Sequence, residues 1–275
     1  LIFLSMEMLK YQKLEVKMLS MKYVEPVRLS LKNRFKFRCH KGIACFTKCC
    51  SNIDIMLTPY DIVRLKKRMG MSSGEFLALH TYIDIDEKTS HPFVFLRMNE
   101  DKERSCPFVT PEGCTIYSDR PANCRYYPVG QASLKKMGEK ENKPITEEFY
   151  FFIKEPHCLG FKERKEWTIK SWRDDQGVDI YDEMNRGWKE ILFRRNLPGH
   201  SLDEKKQKAF YMACYDVDRF RRFIFESGFL NKFEVDAERL EKIKNDDVEM
   251  MKFGFDYTKY VLMMEETLKQ KIEKK

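Results

Sequence analysis

Apolar positions follow two periods along this chain. Ile62, Leu65 and Met69 recur at helical spacing, with Thr58-Pro59-Tyr60-Asp61 at their head and Gly70 at their end. A hydroxyl cap, a proline at the first helical position and an acid three residues after the cap open a helix, and glycine closes one. Ser72 and Glu75 repeat the opening signature and predict a second helix running to about Tyr82. Pro92–Met98 and Glu148–Ile153 are short apolar runs that predict strands. Between them Gln131–Pro144 reads as an exposed, Lys- and Gly-bearing linker. From Trp167 onward the helical period dominates. Val178, Tyr181, Met184, Trp188 and Ile191 form one stripe, and Phe210, Cys214, Val217 and Ile224 form another. A last helix is expected within Asp246–Lys275, fraying in the charged run Gln270–Lys275.

These patterns predict an α+β protein in three segments. Residues 1–33 are a lead-in. Residues 34–162 are a cysteine-rich, metal-binding module of short strands and loops. Residues 163–275 are a mainly helical region packed on it.

Composition narrows the function classes. Of 275 residues 43% are hydrophobic, including 21 Phe and 13 Tyr, so a core can be built. No run approaches the roughly 20 apolar residues of a membrane span. The net charge is +8, yet Lys and Arg are interleaved with Asp and Glu, which argues against a nucleic-acid partner and leaves a protein partner open. Leu1-Ile2-Phe3-Leu4 gives way at once to Ser5 and Glu7, unlike a secretion signal, and Met21 is the expected start. The expected compartment is the cytoplasm, where thiols stay reduced and clustered cysteines are metal ligands sooner than disulfides.

The chemistry lies in the cysteines. Eight of the nine fall between Cys39 and Cys158, as Cys39-x5-Cys45-x3-Cys49-Cys50, then Cys106-x7-Cys114-x9-Cys124, then Cys158. Four thiols within twelve residues are too dense for chance burial. Cys214 stands alone on an apolar stripe and reads as core. Thiolate sulfur suits zinc and iron–sulfur centres. Arg34, Lys36, Arg38, Lys41, Lys48, Arg120 and Arg125 lie near the sulfurs in sequence and would favour the thiolate. In extended chain, Cys49 and Cys50 would point to opposite faces and feed two centres. His40 and His157 each adjoin a cluster cysteine, although a polar turn suffices to explain them. Thioredoxin-type C-x2-C, bacterial ferredoxin, P-loop, dinucleotide and H-E-x-x-H motifs are absent.

Phe37-Arg38-Cys39, the Cys49-Cys50 pair, Cys106-Pro107-Phe108, Cys114-Thr115-Ile116-Tyr117 and Arg120-Pro121-Ala122-Asn123-Cys124-Arg125-Tyr126-Tyr127-Pro128 occur in that order. This series resembles the YkgJ-type cysteine-cluster family, also called the CxxCxxCC zinc- or iron-chelating domain, most strongly over residues 35–160. The helical half looks like that of larger bacterial members. The resemblance implies about eight metal-binding cysteines: Cys39, Cys45, Cys49, Cys50, Cys106, Cys114, Cys124 and Cys158. The name-giving spacing C-x2-C-x2-C-C is lengthened here to C-x5-C-x3-C-C. An iron–sulfur cluster is expected ahead of Zn2+, because eight thiols exceed one tetrahedral zinc site. The function expected is metal chelation, in electron transfer, metal handling or as a scaffold. Related clusters in flagellin lysine methylases supply an alternative, a metal-dependent protein-modifying enzyme such as a lysine N-methyltransferase. Tyr117, Arg120, Arg125, Tyr126 and Tyr127 are the candidates to line its pocket. Catalytic residues are not legible, and whether the protein is an enzyme stays undecided at this level.

Overall fold

The computed structural model describes residues 23–137, 144–195, 201–263 and 265–271. The expected start at Met21 and the last four residues of the charged tail lie outside them. The chain is α+β, with several small antiparallel sheets and a mainly helical C-terminal region. It forms two compact units, interleaved in sequence. One comprises residues 1–53, 98–117 and 122–179, and the other 54–97, 118–121 and 180–275.

The first unit is built on aromatic residues. Arg34–Lys36 pairs antiparallel with Glu166–Thr168, which sets Phe35 opposite Trp167. Val129–Met137 pairs with Pro144–Phe152, and the lead-in touches this ladder through bridges from Val24 to Ile153 and from Leu29 to Tyr150. Phe35, Phe37, Tyr126, Tyr150, Phe152, Ile169 and Trp172 close the core. The Phe37 and Trp172 rings meet edge to face, with centroids 5.5 Å apart, which suits their quadrupoles. Burying a side chain such as Phe37 stabilises the fold by roughly 2–3 kcal/mol.

Two expectations change here. The second strand starts at Pro144, earlier than the expected Glu148, and its partner occupies much of the expected linker. The face of Val129–Met137 carries Gln131 and Ser133, which are nonetheless buried. Gln131 accepts a hydrogen bond from the Tyr126 hydroxyl at 2.7 Å. A polar strand satisfied by a distant partner looks like a loop in sequence.

In the second unit the caps act as read. The Thr58 hydroxyl accepts from the Asp61 amide at 3.2 Å, the Asp61 carboxylate accepts from the Thr58 amide at 2.8 Å, and Pro59–Met69 ends at left-handed Gly70. Ser72 and Glu75 open Ser73–His80 in the same way. That helix ends short of the expected Tyr82, because Thr81–Ile85 pairs with Pro92–Leu96. Thr81, Ile83 and Ile85 are β-branched and favour a strand once a partner is beside them. Met56–Leu57 completes this three-stranded sheet, with Pro92–Leu96 in the middle.

The stripe Phe210, Cys214, Val217 and Ile224 is fully buried, as expected. It spans two helices, Glu204–Tyr215 and Val217–Glu226, broken at Asp216, whose carboxylate caps the second. The other stripe is divided likewise between Val178–Met184 and Arg186–Arg195. Asp247–Met263 packs against Glu204–Tyr215 and buries Met250, Met251 and Phe253. Among the described residues no helix is long and apolar enough to cross a membrane.

Candidate metal centre

Three segments of the first unit bring the thiols together. After Arg34–Lys36 the chain coils through successive three-residue turns. The amides of Ile43, Phe46, Lys48 and Cys50 donate to the carbonyls of His40, Ile43, Cys45 and Thr47 at 3.1, 2.9, 3.1 and 2.9 Å. Thr47 takes a left-handed conformation at φ 66°, and Lys48–Cys50 closes the loop as a 3₁₀ turn. The expected extended conformation of Cys49-Cys50 is therefore corrected. The turn brings the Cys49 thiol against that of Cys50.

The second segment is laced to the first through backbone. The Cys106 amide donates to the Cys50 carbonyl at 2.8 Å, and Ser51 bridges Ser105. Val109–Thr110 then turns back on Gly113–Cys114, which faces Cys114 across Val109. Gly113 has φ 122°, a region open to glycine and strained for other residues, so the hairpin that returns Cys114 depends on it. In the third segment the Leu159 amide donates to the Cys45 sulfur at 3.2 Å, and the Arg38 amide to the Gly160 carbonyl at 3.1 Å. The Phe37 ring lies on Gly160, where a Cβ would stand 2.4 Å from it.

Electrostatic coupling shows which thiols share one neighbourhood. Cys49 feels Cys50, Cys106 feels Cys114 and Cys49, and Cys158 feels Cys45 and Cys49. These pairs link Cys45, Cys49, Cys50, Cys106, Cys114 and Cys158 two by two. Cys124 sits on the short helix Ala122–Tyr126, and Cys39 is exposed. All nine cysteines are free thiols, with no disulfide between them.

Three of the clustered thiols, Cys49, Cys106 and Cys158, are shifted upward. Cys49 is pushed far up by the Cys50 thiol, by burial and by the charge of Glu155. Burial raises Cys106, and it raises Cys158 against the opposing pull of the Tyr127 hydroxyl. Arg34 and Lys36 face Glu166 on the surface at 4.0 and 3.7 Å, and Arg125 donates to the Gln176 carbonyl at 2.8 Å. Of the other pocket candidates, Tyr117 is exposed, Arg120 is buried, and Tyr126 is a core residue that accepts from Arg173 at 2.8 Å.

Sequence reading missed Glu155. Its Oε2 and the His157 Nε2 are buried and face each other at 3.5 Å, beside the Tyr127 hydroxyl. Tyr127 feels both Cys158 and Glu155. The only signal was the run Glu155-Pro156-His157-Cys158, with two non-thiol donors just ahead of a cluster cysteine. His40 differs, because its Nδ1 accepts from the Gly42 amide at 3.2 Å, as in the expected polar turn.

Among the described residues no three or more His, Cys, Asp or Glu side chains form a ready-made metal shell. The donors present still fit a soft metal. Reduced thiols lie on three segments that the backbone bonds bring side by side, with Cys49 against Cys50. Residues 38–166 match the family model CxxCxxCC, described as a "putative zinc- or iron-chelating domain". Over this segment the chain is similar to that family. The segment takes in all eight clustered cysteines, and Cys214 lies outside it. The comparisons with curated proteins and with solved structures gave no match. Within the matched residues the lengthened loop between Cys39 and Cys49 is accommodated by the series of tight turns, which shortens its reach.

Proposed function

We propose that the protein chelates metal through Cys39, Cys45, Cys49, Cys50, Cys106, Cys114, Cys124 and Cys158, as an iron–sulfur centre ahead of zinc. The supporting observation is the bringing together of six free thiols from three segments, coupled two by two. Such a group holds more sulfur than one tetrahedral zinc takes, whereas iron–sulfur clusters use several thiolates at once. Cys49 and Cys50, turned onto each other, favour adjacent ligation in one centre over two separated sites. Cys39 and Cys124 are included because the resemblance implies about eight cysteine ligands and both lie within the matched residues 38–166. When bound, an iron–sulfur centre supplies a one-electron couple. The chain's own part is to give up thiol protons, exclude water with the Phe37 and Trp172 wall, and fix the loops by the backbone lacing.

Anaerobic purification with metal analysis tests this reading. Brown protein containing iron and acid-labile sulfide is the expected result. Colourless protein with stoichiometric zinc would move the assignment to zinc, and protein with neither metal would refute chelation. Cys45→Ser and Cys124→Ser should each lower the metal content. Unchanged stoichiometry in both would remove them from the ligand set.

A further inference from the structure

The strand Thr81–Ile85 forms an edge of the three-stranded sheet in the second unit. The Arg97 amide donates to the His80 carbonyl at 2.8 Å, and the Asp86 amide donates to the His91 carbonyl at 3.0 Å. Hydrogen-bonded and non-hydrogen-bonded pairs alternate along an antiparallel ladder. The register sets Ile83 opposite Val94 and Ile85 opposite Pro92, so both are non-hydrogen-bonded pairs. The amides and carbonyls of Ile83 and Ile85 therefore point to the outer edge, where no strand lies among the described residues. Their side chains share a face with Val94, which is fully buried, yet Ile83 and Ile85 stay 47% and 44% exposed. They line a groove of about 450 Å³, together with Pro92 and with Met212 and Arg219 from the helical region. Lys208, on the same groove, is paired with Glu204 at 2.6 Å. The Arg219 amide is capped by Asp216, but its guanidinium forms no ion pair among the described residues.

We propose that this edge and groove bind an extended peptide segment of a partner protein. The segment adds a strand to Thr81–Ile85, places apolar side chains in the groove and sets an acidic side chain against Arg219. The open backbone groups point to this occupant, because another polypeptide backbone matches a strand edge and an apolar small molecule does not. Side chains of a strand alternate between faces, so every second residue of the added segment meets the groove. A cation without a partner beside an apolar surface favours a carboxylate there. The surface lies wholly within residues 54–97 and 180–275 and is independent of the metal chelation proposed above.

The test selects binders from a phage-displayed library of random short peptides, with the purified full-length protein as bait. Selected peptides should carry apolar residues at alternate positions and an acid, and fluorescence anisotropy measures their affinity. Ile83→Lys should weaken binding by about tenfold or more, as loss of a central interface anchor does. Arg219→Glu should also weaken it by about tenfold or more, because it sets like charges together. Replacing the acid of the peptide by lysine should restore binding to Arg219→Glu alone. Methylating the peptide nitrogens that face the strand should abolish binding, whereas methylating the alternate nitrogens should not. Ile180→Lys, at an exposed apolar residue outside the groove, should bind as wild type does. Far-UV circular dichroism checks that each variant is folded. A selection that returns no such pattern, or wild-type affinity in folded Ile83→Lys and Arg219→Glu, would overturn the inference. So would a wild-type dimer in light scattering that Ile83→Lys turns into a monomer, because a second copy would then occupy the edge.

Discussion

Cys214 and Cys49 are the same chemical group in opposite settings. Cys214 is fully buried between helices, its sulfur 3.6 Å from the Thr258 hydroxyl, and burial pushes its thiol up to about 12. Since the thiolate is the nucleophile, native protein treated with iodoacetamide near neutral pH should leave Cys214 unmodified. Exposed Cys39 should react first, and peptide mass spectrometry reads the order. Cys49, Cys106 and Cys158 are also raised, but within reach of other sulfurs. A metal must displace their protons, so apparent metal affinity should rise with pH through the neutral range. A pH-independent affinity in a competition titration would contradict this. Gly160 is a third case at this scale. Gly160→Ala forces a methyl group into the Phe37 ring and should cost about 1–3 kcal/mol in urea denaturation. The cysteine spacing and the isolation of Cys214 were legible because both are local. Glu155 was not, since its approach to Tyr127 and the cysteine loops exists only after folding.

At the scale of elements, caps were the most legible feature. Thr58 caps Pro59–Met69 and also accepts from the buried Asn185 side chain at 3.0 Å, so Thr58→Ala should cost about 1–2 kcal/mol. Thermal denaturation of the variant measures it. The buried Lys66 ties three elements together. Its ammonium group reaches Asp218 and Asp247, each at 2.8 Å, and Arg221 donates to both carboxylates. Burial works against the charge of Asp218 and Asp247, but the hydrogen bonds from Lys66, with Ser73 at Asp218 and Arg221 at Asp247, outweigh it and hold both below the ordinary carboxylate range. Their stabilisation is therefore present above an unfolded value of about 3.9 and lost as pH falls through the depressed folded values. Lys66→Met should destabilise by about 1–3 kcal/mol at neutral pH, and the deficit should shrink in acid. Equal deficits at pH 7 and pH 3 would argue against the network. Element ends were less legible. Ser73–His80 stops where a strand partner waits, and the helical stripe from Phe210 to Ile224 breaks at Asp216, both through contacts made far away in sequence.

For the whole molecule, the two units rest on different physics. The unit of residues 54–97, 118–121 and 180–275 buries many aliphatic and aromatic side chains between helices. On the function proposed above, a bound metal would cross-link the cysteine loops, as structural zinc does in small domains, where it contributes roughly 10–16 kcal/mol. Chelation of the purified protein should therefore raise hydrogen exchange in residues 38–53, 106–114 and 155–165, while Glu204–Tyr215 and Asp247–Met263 stay protected. Uniform exchange across both sets would show that the metal does not hold these loops.

The sequence by itself determined the α+β class, the helix caps, the lone core thiol and the kinship of the cysteine pattern, because each is written in neighbouring residues and needs no distant partner. Tertiary structure alone decided that the three cysteine segments lie side by side, that Cys49 and Cys50 turn onto each other, and that Glu155 and His157 face one another at 3.5 Å. Those outcomes depend on hydrogen bonds between segments up to 114 residues apart, such as Leu159 to Cys45 and Cys106 to Cys50, and on burial, which no local spacing encodes.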